Sequence, residues 1–213
     1  MTSSLANLTL EVADLAAAER FYSAFVPGLP VALRASQEAT DGFRGFAVAL
    51  TVAQPADVRR LVDAAVDAGA TVLKPATKSF WGYGGVVRAP DGTIWKVASS
   101  EKKDTAPATG RIDRIVLLLG CADVAETRAY YTERGLTVAK SFGRKYVEFD
   151  APEGADAVVL ALYGRRALAK DLTVPVDGTG SHRLVLGGTG AAGGPATDPD
   201  GFVWEPAQAR AAA

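Results

Sequence analysis

The sequence predicts an α+β fold built from two similar halves, with helices on one side of sheets that are rich in antiparallel strands. Each half reads as a strand, a helix and then several strands, which is typical of this class. Two landmarks also recur at one offset, because Tyr22 and Tyr131 are 109 residues apart, as are Asp91 and Asp200. A repeat of that kind indicates a duplicated unit.

The first half shows clear helix and strand signals. Leu8, Leu10 and Val12 alternate with polar or small residues, as in a half-buried strand, and Asp14 then suits a helix N-cap. Pro27-Gly28 ends the first helix, and a second helix is predicted over 55–69. Further strands are predicted over 31–33, 43–52, 72–73, 85–88 and 94–98.

The second half repeats the opening of the first. A strand over 112–119 leads into a helix over 123–134, and Gly143 marks the turn of a hairpin between 136–142 and 145–149. Strands are predicted over 158–163 and 182–186, a short helical turn over 165–171, and a loop over 187–195. No counterpart of the second helix is evident. The segment 99–111 is polar and contains Pro107 and Gly110, so the predicted domains are 1–103 and 110–213, joined by a linker over 104–109.

Composition excludes several classes of function. The chain of 213 residues is 48% hydrophobic, has a net charge of -1, and contains one His and one Cys. One His rules out a zinc finger or a three-His zinc site within the chain, and one Cys rules out an internal disulfide. The balanced charge gives no footprint for nucleic acid. The N-terminus does not resemble a signal peptide, and no run reaches the roughly 18 apolar residues of a membrane span. We therefore expect a cytoplasmic protein that binds neither membrane nor nucleic acid.

Two motifs together resemble a known family. The segments LTLEVADLAAAERFY and VVRAPDGTIWKV in the first half, and IVLLLGCADVAETRAYY and ATDPDGFVWE in the second, look like the vicinal oxygen chelate superfamily. That superfamily includes glyoxalase I, bleomycin-resistance proteins and extradiol dioxygenases. The resemblance implies tandem βαβββ modules that curl into two incomplete-barrel domains, with a small-molecule site in a concave sheet. The domains are expected to pair within the chain, in a monomer or a homodimer.

The resemblance also implies where a metal would bind. Metal-using members place ligands on the first, a middle and the last strand of a half. In the first half these positions fall on Asn7, the apolar pair Ala49-Leu50, and Lys96, four residues after the turn glycine. A lysine ammonium opposes a divalent cation there.

In the second half the last-strand position is Glu205, and His182 opens the strand that resembles the middle one. The first-strand position is Val116, or Arg114 if the strand contains a bulge. If one metal were shared between the paired halves, Asn7 would face His182 and Glu205. The cofactor is therefore expected to be either none or one divalent metal ion.

Aromatic residues are the other candidates for a ligand site. Trp81 and Tyr83 lie in a glycine-rich segment that could be a hydrophobic plug or a pocket wall. Trp95 and Trp204 lie on predicted strands, where they could line a concave face or fill a core.

Two functions fit these patterns. The first is a small-molecule binding protein, similar to bleomycin-resistance proteins, that holds an aromatic or drug-like ligand without a complete metal site. The second is an enzyme, a glyoxalase-like lyase or isomerase or an extradiol-type dioxygenase, with His182 and Glu205 as catalytic and metal-binding residues. In that enzyme the metal would act as a Lewis acid.

Overall fold

A computed structural model describes residues 3–151, 157–180 and 182–207. The first half contains helices α1 (Leu15–Phe25) and α2 (Pro55–Asp67). Its strands are β1 (Ser4–Val12), β2 (Val31–Ala35), β3 (Thr40–Gly42), β4 (Phe46–Val52), β5 (Thr71–Ser79), β6 (Gly82–Arg88) and β7 (Ile94–Ser99). Asp14 caps α1 as predicted, since its carboxylate accepts a hydrogen bond from the Ala17 amide at 2.9 Å.

The second half contains helices α3 (Val124–Glu133) and α4 (Arg165–Leu172), and a short 3-10 helix, Gly190–Gly193. Its strands are β8 (Ile112–Cys121), β9 (Val138–Phe142), β10 (Tyr146–Phe149), β11 (Val158–Gly164), β12 (Gly178–Gly180), β13 (Leu184–Thr189), β14 (Ala196–Thr197) and β15 (Val203–Pro206). Among the described residues, no helix is long and apolar enough to cross a membrane.

The strands form two main sheets, and both are open. The small sheet has the order β14-β15-β13-β1-β2, and the large sheet has the order β5-β6-β7-β4-β8-β11-β10-β9. A short third sheet pairs β12 with β3. The predicted α+β class with unclosed sheets is confirmed.

Each main sheet takes strands from both halves of the chain. β1 of the first half pairs with β13 of the second, and β4 of the first half pairs with β8 of the second. We call the first main-sheet strands of each half its opening module (β1 and β2, or β8 to β11) and the later ones its closing module (β4 to β7, or β13 to β15). The opening module of each half shares a sheet with the closing module of the other half. The two halves exchange modules within one chain instead of folding side by side.

The tyrosines among the repeated sequence landmarks form hydrogen bonds that connect helices to turns. Tyr22 on α1 donates a hydrogen bond to Asp91 at 2.8 Å, and Tyr131 on α3 donates one to Asp198 at 2.6 Å. Both tyrosines are buried. Each tyrosine thus ties its helix to the turn before the last strand of its half, although the acceptor Asp198 is not the 109-residue counterpart of Asp91, which is Asp200.

Two predicted segments of the second half differ from the structure. β13 extends to Thr189 and is followed by the 3-10 helix, so the predicted loop over 187–195 is only partly a loop. The short turn predicted over 165–171 is a helix of two turns, α4. Glycine and alanine dominate the segment after β13. This segment therefore lacks the large apolar side chains that would form the buried face of an amphipathic helix.

Candidate functional site

The small sheet has one buried face and one open face. Leu8, Leu10 and Val12 of β1 are fully buried against the helices, while Asn7, Thr9 and Glu11 alternate to the other side. In the cross-strand register, Asn7 lies beside Gly187 on β13, and Gly187 lies beside Glu205 on β15. We call this side the open face. The structure therefore brings two predicted site residues, Asn7 and Glu205, into one row.

Arg34 is the central residue of the open face. Its Nη1 donates to both carboxylate oxygens of Glu205 at 3.1 Å, while Nε and Nη2 donate to Glu11 at 3.0 and 2.7 Å. β2, which carries Arg34, is three strands away from β15 in the sheet order. A side chain reaches that far only because the sheet is strongly curled, so the open face is concave.

The middle of the row is occupied by the Asn7 side chain. A Cβ atom added at Gly187 would lie 1.5 Å from Asn7 Oδ1. Glycine at this position is therefore what lets the Asn7 amide lie across β13. The amide and the Arg34–Glu205 ion pair together cover the part of the sheet where the resemblance places metal-ligand positions.

His182 lies elsewhere. Its ring packs against Phe202 at a centroid distance of 4.2 Å and a tilt of 43°, and Phe202 is fully buried. Phe202 and Trp204 point to the buried side of the sheet, whereas Glu205 points to the open face. The structure does not bring His182 together with Glu205 and Asn7.

The environment of His182 predicts an acid-sensitive stability. Burial, followed by the positive charge of Arg165, lowers the pKa of His182 below its ordinary value of 6.5. The His182 imidazole therefore binds a proton less readily in the folded chain than in the unfolded chain. We expect the full contribution to stability above the ordinary pKa of 6.5 and a progressive loss as the pH falls below it.

NMR titration of the single imidazole measures this directly, and its midpoint should lie below 6.5. The His182→Gln variant should show a flatter dependence of unfolding free energy on pH over the same range. An imidazole that titrates at its ordinary pKa would contradict the burial argument.

The donor set of the open face does not fit a resident divalent metal. Glu205 carries the one carboxylate in the row formed with Asn7 and Gly187, and both of its oxygens already accept hydrogen bonds from the Arg34 guanidinium. The other two residues of the row are an asparagine, with its amide, and a glycine, which has no side chain. A metal at Glu205 would have to sit against the Arg34 charge. In the described part of the chain, no three His, Cys, Asp or Glu side chains are grouped as metal ligands.

The corresponding row of the large sheet also lacks metal ligands. Lys96 on β7 lies beside Ala49 on β4, which lies beside Val116 on β8, which lies beside Val159 on β11. Lys96, Ala49 and Val116 are positions where the resemblance implied metal ligands. One ammonium and three apolar side chains cannot hold a cation.

Helix α4 covers part of the large sheet on that side. Leu168 and Leu172 of α4 are fully buried and share an apolar cluster with Val116, Leu118 and Ala161. We call this side, opposite α2 and α3, the α4 face. Asp171 near the end of α4 forms an ion pair with Lys96.

The predicted aromatic residues do not share a pocket. Trp95 and Trp204 are 0% and 1% exposed and belong to the main core. Trp81 is 84% exposed at the turn between β5 and β6, where it contacts Phe80. Tyr83 lies on the α2 side of the large sheet, with the Arg59 guanidinium 5.8 Å from its ring.

No protein-family profile and no curated protein sequence matches the chain. Solved structures do match. The chain has the fold of glyoxalase I, which confirms the fold that the resemblance implied.

Glyoxalase I from Zea mays is similar over 95% of this chain and 91% of its own, with a TM-score of 0.62 and 15% identity. A putative dioxygenase from Bacillus subtilis subsp. subtilis str. 168 is similar over 86% of this chain and 69% of its own, with a TM-score of 0.53 and 12% identity. At these identities the likeness establishes the fold alone.

Sequence reasoning missed Arg34 and Glu11 as site residues. Glu11 carries a usable signal, because it continues the polar alternation of β1 through Thr9. Arg34 carries none. It lies just past the predicted strand 31–33, and its partner Glu205 is 171 residues away in the chain.

Proposed function

We propose that the protein binds a small, aromatic or drug-like molecule on the open face of the small sheet without a resident metal. The observation that carries this proposal is the Arg34–Glu205 pair. A carboxylate in the metal-ligand position of the fold accepts two hydrogen bonds from a guanidinium at 3.1 Å. The guanidinium thus supplies the positive charge that a metal supplies in metal-using relatives.

The open face has the parts that a small organic ligand needs. Val203 is 41% exposed, and Arg34 offers a planar cation whose side chain is 39% exposed. Aromatic rings stack on guanidinium planes, and the two glutamates can accept hydrogen bonds from polar groups of a ligand. The alternative, a metal-dependent lyase, isomerase or dioxygenase at His182 and Glu205, requires two residues that lie on opposite sides of β15.

A ligand screen tests the proposal. Protein kept in excess chelator is titrated with aromatic and drug-like compounds, including bleomycin, and binding is mapped by amide NMR. We expect hits that shift the amides of Thr9, Gly187 and Val203. Arg34→Gln should weaken them about tenfold, the scale of one charge-assisted hydrogen bond.

The matched control is Arg20→Gln, which removes an exposed arginine of α1 and should leave affinity unchanged. Compounds that bind only after a divalent metal is added, and lose binding in Glu205→Gln, would favour the metal-dependent enzyme. Hits that shift none of the open-face amides would refute the location.

A further inference from the structure

The α4 face of the large sheet carries a group of charged side chains that the proposed function does not use. Lys96 and Lys74 both approach Asp171 of α4. Lys74 Nζ is 4.0 Å from the Asp171 carboxylate, beyond hydrogen-bond distance. One carboxylate is thus shared by two ammonium groups, and one of these is only loosely held.

A second charged group lies on the same face, towards the other edge of the sheet. Arg114 Nη2 donates to Glu148 at 2.6 Å, and the Tyr146 hydroxyl donates to the other oxygen at 2.8 Å. Burial opposes ionisation of Glu148, but these two hydrogen bonds keep its pKa below the ordinary range. Lys140 lies beside Glu148 in the cross-strand register.

Two aromatic rings lie beside the second group. The Tyr146 and Tyr163 rings are 5.9 Å apart at 76°, and the Tyr146 hydroxyl is bonded to Glu148. Burial and then the negative charge of Asp171 raise the pKa of Tyr163.

The charges of the two groups do not balance. Four cations, Lys74, Lys96, Arg114 and Lys140, accompany two carboxylates, Asp171 and Glu148. The cations remain accessible, because the side chains of Lys96, Lys74 and Arg114 are 30%, 40% and 42% exposed. The Glu148 side chain is only 8% exposed, whereas the Asp171 side chain is 30% exposed, the same fraction as Lys96.

We propose that the α4 face is a second ligand site, which binds an organic carboxylate through Lys96 and Lys74. The two ammonium groups share the single carboxylate of Asp171, so this group carries one surplus positive charge beside the apolar side chains packed around α4. Such a surface favours a carboxylate with an apolar body. This site is separate from the open face and does not depend on the function proposed there.

Titration with benzoate tests the proposal, with benzamide as the neutral isostere and benzylamine as the cationic one. Amide NMR on the full chain should show saturable benzoate shifts at Ala49, Lys96 and Asp171. We expect benzamide to bind at least about tenfold more weakly, and affinity for benzoate to fall as salt is added.

Variants of the lysines complete the test. Lys96→Gln should weaken benzoate about tenfold, Lys96→Arg should retain most of the affinity, and Lys170→Gln should change it less than about twofold. Lys170 is the matched control, because it is an exposed lysine of α4 next to Asp171. If Lys96→Gln does not fold, Lys74→Gln takes its place, since Lys74 is on an edge strand.

Equal binding of benzoate and benzamide would overturn the proposal. So would equal loss of affinity in Lys96→Gln and Lys170→Gln, or an absence of saturable shifts on this face. These outcomes are distinct from failure of the proposed function, which concerns shifts at Thr9, Gly187 and Val203 on the other sheet.

Discussion

Replacing Trp204 with alanine is expected to lower the free energy of unfolding by about 3–5 kcal/mol, the usual cost of removing a large buried aromatic side chain. Trp204 is 1% exposed, its ring lies 5.4 Å from that of Tyr131, and its indole N–H donates to the Tyr131 hydroxyl. That hydroxyl in turn holds Asp198 of the final turn. The substitution removes a core side chain and loosens the tie between α3 and the turn.

Urea unfolding followed by circular dichroism measures the effect, and Trp81→Ala is the matched control. Trp81 is 84% exposed, so its removal should change the free energy of unfolding by less than about 0.5 kcal/mol. Similar stability losses in the two variants would show that Trp204 is not the core residue that the structure places there. It would then become a ligand-site candidate again.

Separating the two halves is expected to abolish folding of either half as a monomer. The fragment 1–103 loses the partner of β1, which is β13, and the partner of β4, which is β8. Both strands then have an unpaired edge in the middle of what was a sheet, and their backbone groups lose their hydrogen bonds. Because both main sheets depend on this pairing, its loss destabilises every module of the fragment.

Light scattering and amide NMR of the fragment give the readout, and coexpression with 110–213 is the control. The two fragments together should form a one-to-one complex with the spectrum of the intact chain. A homodimer of the fragment would also be consistent with module exchange, because the second copy supplies strands that pair with the exposed edges. A folded monomer of 1–103 would contradict the exchange of modules.

The fold was accessible from the sequence because its signals are local and repeated. The Asp14 cap, the Tyr22 and Tyr131 positions and the two aspartate turns are each readable over a few residues, and their constant offset reveals the duplication. Helix α4 was only partly foreseen. Its eight residues carry too little periodicity to separate a stable helix from a turn.

The site was less accessible, because it depends on contacts between distant strands. Both Glu205 and Asn7 were found from the resemblance, Glu205 as the last-strand position four residues after Gly201. Arg34 determines what Glu205 can do, yet no local pattern connects two residues on strands that meet only after the sheet curls. The same holds for Lys96, whose partner Asp171 belongs to a helix of the other half.

The central claim is that a guanidinium occupies the place of a metal on the open face. Calorimetric titration of chelator-stripped protein with zinc and nickel salts tests it most directly. We predict no saturable binding at micromolar metal, and no difference between the wild-type chain and Glu205→Gln. Micromolar binding of one metal per chain that disappears in Glu205→Gln would contradict the account, because it would show that Glu205 leaves Arg34 to ligate a cation.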